Sequence, residues 1–236
     1  MITLHHLNNS RSQRVLWLLE ELELPYEIVK YERDPRTLAA PASLRAIHPL
    51  GKSPVITDGD ATLAESGAIL EYLVETYGKD KLAPAPGTLA HRDYRYFMHY
   101  AEGSLMPFLV MKLVFKKVKT EAPFLVRPIA KAIDAMVSKQ FLDPNLKAHL
   151  AFLGDHLAKR PWFAGDAFSA ADVQMSFPLE TAVARADGGS SSKLTEWLAK
   201  VQARRRSASR PRRSARSSGA SARSAARGSR SRCSTS

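Results

Sequence analysis

The chain has 236 residues, about 1.6 times the ~150 of an ordinary domain, enough to bury a core in one large or two small domains. Apolar residues make up 44%, yet no run approaches the ~18 uninterrupted ones a spanning helix needs, and the opening MITLHHLNNSRSQ lacks a signal peptide's basic head and apolar stretch, so a cytoplasmic protein with no membrane partner is expected. The net charge of +12 points to a nucleic-acid binder only until it is located: residues 204–236 hold 11 Arg and no acid, leaving 24 basic against 23 acidic residues in 1–203.

Residues 2–7 (ITLHHL) are a short strand candidate. Val15, Leu18, Leu19 and Leu22 then recur at i, i+3, i+4 and i+7 with Glu20, Glu21 and Glu23 opposite, which predicts an amphipathic helix. Pro25 stops it, and 26–31 (YEIVKY) alternates as a second strand. A weaker helix is expected over 38–47. Strands at 53–57 (SPVIT) and 61–64 (ATLA) flank Asp58-Gly59-Asp60, a hairpin signal. Ile69, Leu70, Leu73 and Tyr77 mark a helix that follows Glu65-Ser66 and ends at Gly78. The order βαβαββα over 1–78 fits a small mixed sheet with helices packed on it.

Residues 79–90 (KDKLAPAPGTLA) read as a linker, and beyond them no strand signal recurs. Residues 91–203 read as an all-α domain, with helices at 91–118, kinked by Pro107, and at about 124–140, 144–159, 170–186 and 193–203. Ser169-Ala-Ala-Asp172 resembles a capping box with Asp in place of Glu, and Phe168 supplies half of a hydrophobic staple, so Ser169 and Asp172 are assigned a folding role. His5 and His6 point to opposite faces of a strand, and His149 and His156 stand seven apart with no third ligand, so no metal site is expected. The aromatics of 94–100 are read mostly as packing, with some available to line a pocket.

Residues 204–236 hold 11 Arg, 11 Ser and 6 Ala, and nothing apolar larger than Ala except Pro211 and Cys233. Such a segment cannot offset its ordering entropy and is expected to be disordered; phosphate neutralisation by it is the one nucleic-acid role open to the chain. A frameshift is the second explanation: codons for residues 214–219, read one base earlier, can spell Gln-Arg-Ala-Leu-Glu-Arg. Cys233 is the only cysteine, which leaves any packed domain without a disulfide or a cysteine nucleophile.

Four stretches in order carry a resemblance. Residues 9–22 (NSRSQRVLWLLEEL), 48–55 (HPLGKSPV), 63–69 (LAESGAI) and 163–172 (FAGDAFSAAD) resemble, respectively, the first helix, the loop to a cis-proline, the Glu-Ser turn and the C-terminal-domain motif of cytosolic glutathione transferases. The resemblance implies a thioredoxin-like domain followed by a helical one, glutathione as co-substrate, a hydrophobic electrophile as acceptor and a homodimer. It departs at Arg204, where the family continues with a Pro-Ala-Tyr-like turn and a short helix.

Conjugation needs the glutathione thiol as thiolate near pH 7, and lowering an ordinary thiol by about 2 units takes ~2.7 kcal/mol. A helix N-terminus supplies ~0.3–1 kcal/mol, up to ~2 when partly buried, and a hydroxyl bonded to a charged acceptor ~1.5–3. Both are needed. Ser10 offers that hydroxyl between the first strand and the first helix, and the resemblance assigns it the catalytic position; a plain N-cap, or Ser12, Asn8 or Asn9 in its place, stays open. Glu65 and Ser66 match the γ-glutamyl ammonium and carboxylate, with a solvated strand end and a plain cap as their other readings; Ser53, before a Pro54 whose bond the resemblance implies is cis, matches the cysteinyl backbone, and Lys52, unless merely solvated, the glycyl carboxylate. Two alternatives remain: a reductase, isomerase or dehalogenase of the same fold that uses glutathione, and a non-catalytic binding module.

Overall fold

A computed structural model describes residues 1–8, 10–37, 39–185 and 191–208. Its sheet is built outward from β1 (Ile2–Leu7), which pairs in parallel with β2 (Tyr26–Tyr31) and antiparallel with β3 (Val55–Asp58); β4 (Ala61–Ala64) completes the order β2-β1-β3-β4. A parallel pair needs a crossover, and α1 (Ser12–Glu21) supplies it, burying Val15, Leu18 and Leu19 completely. The next helix, α2 (Ala42–Ile47), is shorter than the sequence suggests. Pro41 caps it, and a proline costs a helix least at its start. After the β3–β4 hairpin, α3 (Ser66–Tyr77) turns Ile69, Leu70 and Leu73 inward. Its closing Gly78 has φ −70°, so handedness is not what requires glycine there. A Cβ would lie 2.4 Å from the Val74 carbonyl oxygen.

The helices beyond residue 88 contain two π turns, each just ahead of a proline. α4 (Leu89–Tyr100) passes through a π turn at Ala101–Leu105 into α5 (Met106–Glu121), in place of a simple kink at Pro107. Pro107 brings no N–H for the Gly103 carbonyl, and the ladder widens rather than breaks. The same happens between α6 (Arg127–Val137) and α7 (Asp143–Lys159), where a π turn at Ser138–Leu142 precedes Pro144, so the break expected near 140–144 is a continuous rod. α8 (Ala170–Arg185) packs against α1, α3, α4 and α5, and holds Pro178 in its interior. Among the described residues no helix is long and apolar enough to cross a membrane.

α9 (Ser192–Ala208) turns Leu194, Trp197, Leu198 and Val201 inward and continues past residue 203, where the sequence reading ends the helix and begins the tail. Arg204 donates to both carboxylate oxygens of Glu21 at 2.9 and 2.8 Å with its guanidinium 4.0 Å from the Phe168 ring centroid, and Arg205 pairs with Glu180 at 3.1 Å. Composition treats an Arg/Ser run as solvated in isolation. Here Arg and Ala, both good helix formers, extend a packed helix toward acids on α1 and α8. Residues 209–236, with Cys233 and the re-readable 214–219, lie outside the described residues, as do the disorder and phosphate-binding expectations that concern them.

Asp172 closes the start of α8. Its Oδ2 accepts the Ser169 N–H at 3.0 Å and the Ser169 hydroxyl at 3.1 Å, while Oδ1 accepts the Phe163 N–H at 3.0 Å and Trp197 Nε1–H at 3.2 Å. One carboxylate thus joins the helix cap, the preceding loop and α9. Phe168 packs on Trp17 and Trp162.

Burial pushes the Asp172 carboxyl up to about 6, against four donors that favour its charged form. In the unfolded chain it titrates near ~3.9, so between about pH 4 and 6 the folded state holds the extra proton, and stability from this group falls as pH rises through that window. Urea unfolding of wild type and Asp172→Asn across pH 4–7 should show the wild-type advantage narrowing with rising pH, by up to ~3 kcal/mol. A gap independent of pH would show that this carboxyl does not titrate there.

Candidate functional site

A cleft of about 470 Å³ opens where the end of the central strand meets the helical half. One wall is polar: Ser10 and Arg11 after β1, Lys52, Ser53 and Pro54 before β3, and Glu65 and Ser66 between β4 and α3. The opposite wall is Met106, Leu109, Val110 and Leu113 of α5 with Phe177 and Thr181 of α8. The five residues assigned to catalysis and glutathione from the sequence, with Pro54, therefore share one cavity; Ser169 and Asp172 lie outside it, at the start of α8.

The central strand delivers Ser10 to the cleft, one residue before Arg11 caps α1 without a side-chain bond. Ser10 Oγ accepts the Ser12 N–H at 3.4 Å, lies 2.8 Å from Ser12 Oγ and donates to Ser53 Oγ at 3.3 Å. Ser12 is fully buried, with its hydroxyl 2.6 Å from His6 Nδ1, and Asn8 Oδ1 accepts the Arg33 N–H at 3.1 Å. Asn9 lies outside the described residues. Ser53 donates to the His5 carbonyl at 2.9 Å and accepts the Leu7 N–H at 3.2 Å, pinning the loop to the strand, and the Ser53–Pro54 peptide is cis. Glu65 is exposed at φ +72°, a left-handed conformation in the sparsely populated class that costs ~1–3 kcal/mol. Lys52 stands exposed at the rim, and Ser66 is buried as the first residue of α3.

Arg14 serves the sequence reading only as a landmark, and it organises the site from behind. It is 2% exposed. One amino group donates to the carbonyl and to Oε1 of Gln174, both at 2.8 Å; the other donates to Ser66 Oγ at 3.1 Å and to Glu102 Oε1 at 2.6 Å. Arg11 reaches the second oxygen of Glu102 at 3.0 Å. The Gln174 carbonyl needs this donor because Pro178, four residues on, has no N–H to give it. Burial lowers the Arg14 pKa and Glu102 opposes the shift, so a charged guanidinium persists.

The apolar wall was readable and missed: Met106, Leu109, Val110 and Leu113 fall at i, i+3, i+4 and i+7. The aromatics of 94–100 do not reach the cleft. Tyr94, Phe97 and Tyr100 are buried, and Tyr96 and Tyr100 border a separate open concavity of about 790 Å³ with His91, Arg92, Arg95 and His99. His149 Nδ1 bonds the Tyr100 hydroxyl, and His156 Nε2 donates to the Phe163 carbonyl at 3.0 Å. Among the described residues no group of three His, Cys, Asp or Glu is placed to hold a metal ion.

Residues 1–75 match the family model for the glutathione S-transferase N-terminal domain, and residues 131–200 match that for the C-terminal domain. Glutathione S-transferase 3 of Schizosaccharomyces pombe is 41% identical over 181 residues, covering 76% of this chain and 73% of that protein. A solved glutathione S-transferase from Actinobacillus pleuropneumoniae superposes with a TM-score of 0.69 at 31% identity, covering 88% of this chain and 91% of the other. A glutathione transferase family member from Pseudomonas fluorescens, solved with two glutathione bound, shares the fold at a TM-score of 0.67 and 23% identity, covering 88% and 91%.

Replacing Arg14 by Met should destabilise the protein by ~3 kcal/mol or more in urea unfolding, because it leaves the buried Gln174 carbonyl without a donor and Glu102 with Arg11 alone. In a Glu102→Gln background the same change should cost distinctly less. Equal costs in both backgrounds would show that the two residues are not coupled.

Proposed function

The chain belongs to the glutathione S-transferase family, and on that premise we propose that it joins the thiolate of glutathione to electrophilic small molecules. The observation that carries the reading is the two-sided cleft, with polar groups suited to a tripeptide on one wall and an apolar stripe suited to a hydrophobic acceptor on the other. Ser10 donates its hydroxyl proton to the glutathione sulfur, and the start of α1 adds its positive end. Ser12 is buried with its hydroxyl engaged by His6 and Ser10, and Asn8 is held by Arg33, so Ser10 is the candidate that faces the cavity. Glu65 takes the γ-glutamyl ammonium, and Ser66 with the first N–H groups of α3 takes its carboxylate. The backbone of Ser53 pairs with the cysteinyl unit, and Lys52 neutralises the glycyl carboxylate.

The sulfur lone pair then attacks the electrophilic carbon held against Leu109, Leu113 and Phe177. A leaving group departs with its electrons in substitution, and in addition the product carbanion takes a proton from water. A reductase of the same fold that works through a protein thiol would need a cysteine at the cleft, and none of the described residues is a cysteine. Isomerase and dehalogenase chemistry begins from the same thiolate, and only turnover assays separate them. On this reading the protein is cytoplasmic and its partners are glutathione, the acceptor and a second copy of the chain. The open concavity on α4, where half-exposed Tyr96 stacks on Tyr100, supports the last.

Titrating the ultraviolet thiolate absorbance of bound glutathione tests Ser10: Ser10→Ala should raise the thiol pKa by about one unit or more while glutathione affinity changes little. An unchanged pKa would move the role to Ser12 or an asparagine. No thiolate band and no turnover in the wild type would leave a binding module.

A desamino glutathione analogue tests Glu65. Wild type should bind the analogue about tenfold or more weaker than glutathione, and Glu65→Gln should erase most of that preference. Equal affinity of wild type for both ligands would remove Glu65 from the ammonium site.

A further inference from the structure

The assignment of Ser10 raises a question of direction, because a hydroxyl carries one proton and several acceptors compete for it. Ser12 Oγ lies 2.8 Å from Ser10 Oγ and 2.6 Å from His6 Nδ1. Ser12 is completely buried, so its own proton goes to one of these two neighbours. Ser53 does not donate to Ser10, since its hydroxyl is committed to the His5 carbonyl at 2.9 Å, and its Oγ accepts the Ser10 proton at 3.3 Å until the glutathione sulfur offers a charged acceptor in its place. We infer that His6 is a positioning residue for the reaction: with hydrogen on Nδ1 it donates to Ser12, Ser12 donates to Ser10, and the Ser10 proton is left to point at the glutathione sulfur.

With Nδ1 bare, the Ser12 proton turns toward the ring. The freed lone pairs of Ser12 then compete with the sulfur for the Ser10 proton. No proton changes owner in either arrangement, and the chain acts by orientation and by the strengthening that successive hydrogen bonds lend one another, ~10–30% per bond. This inference rests on Ser10 as the thiolate donor.

The strand explains why His6 is free for this task. Neighbours on β1 face opposite sides of the sheet, and His5 is engaged on its side by the Tyr31 hydroxyl at 3.0 Å and Thr57 Oγ1 at 3.3 Å. His6 is left facing the start of α1. Burial, then the charge of Lys30 in register across the sheet, lower its pKa, so the ring is neutral near pH 7 and the tautomer sets the direction of the chain.

The experiment uses the full-length chain with glutathione as probe and reads three things: the thiolate titration of bound glutathione, glutathione KM and kcat. His6→Leu removes the ring nitrogen, and Ser12→Ala breaks the same chain with a smaller change of volume. His6→Asn returns an N–H near the position of Nδ1. His6→Leu and Ser12→Ala should each raise the bound thiol pKa by about half a unit and lower kcat near pH 7 with little change in KM; the double variant should be no worse than Ser12→Ala, and His6→Asn should recover most of the shift. If Ser10→Ala raises the thiol pKa while Ser12→Ala and a folded His6→Leu leave it at the wild-type value, the chain from His6 is overturned and the Ser10 assignment stands. If Ser10→Ala itself has no effect, both fall.

Discussion

A buried guanidinium answering a carbonyl that a proline has left without a donor is the constraint on which the rest of the site depends. Pro178 removes the N–H that would close the α8 ladder at Gln174, and Arg14 of α1 fills the vacancy at 2.8 Å. Neither residue is comfortable without the other: an interior proline costs a helix ~3 kcal/mol or more, and a buried unpaired guanidinium costs more. Together they lock α1 against α8. The second amino group of the same side chain holds Ser66, at the start of α3, and Glu102, in the first π turn. The cleft's polar wall and its apolar wall are thus spaced by one side chain with donors in a fixed planar fork.

That arrangement explains why the residues facing the cavity can be short and polar. Ser10, Ser53 and Ser66 have little reach, and each is held by a hydrogen bond at its back, to Ser12, to the strand backbone and to Arg14 respectively. Their positions are set by the elements that carry them. The apolar wall needs no such support, since Met106 and Leu109 are anchored by burial in the core.

What the sequence disclosed and what it hid follow the range of the interactions. The strands and α1 were legible because alternation and 3.6-residue spacing are local, and the meeting of Ser10, Lys52, Ser53, Glu65 and Ser66 in one cleft was legible because each sits at a junction marked by turn chemistry and by resemblance. The continuity of α6 and α7 was not, because Pro144 reads as a stop when only neighbours are considered and a π turn has no local signature. Arg14 looked like one more polar residue on an amphipathic helix; its meaning depends on Pro178, 164 positions away. The end of α9 was misplaced for the same reason, since the acids that hold Arg204 and Arg205 belong to α1 and α8. Charge counting along the chain could not see partners across it.

The π turn at Ala101–Leu105 also acts as an angular setting. Each residue added to a helix turns everything after it by about 100°, so the widened turn fixes which side of α5 looks at the cleft. Tightening that turn to a plain α ladder at unchanged length would swing Met106, Leu109, Val110 and Leu113 by roughly a quarter of a rotation and bring another set of α5 side chains into the apolar wall of the cleft. A change of hydrogen-bond register within one turn, with no residue gained or lost, is therefore a route by which descendants of such a chain can present a different apolar surface to the same cleft.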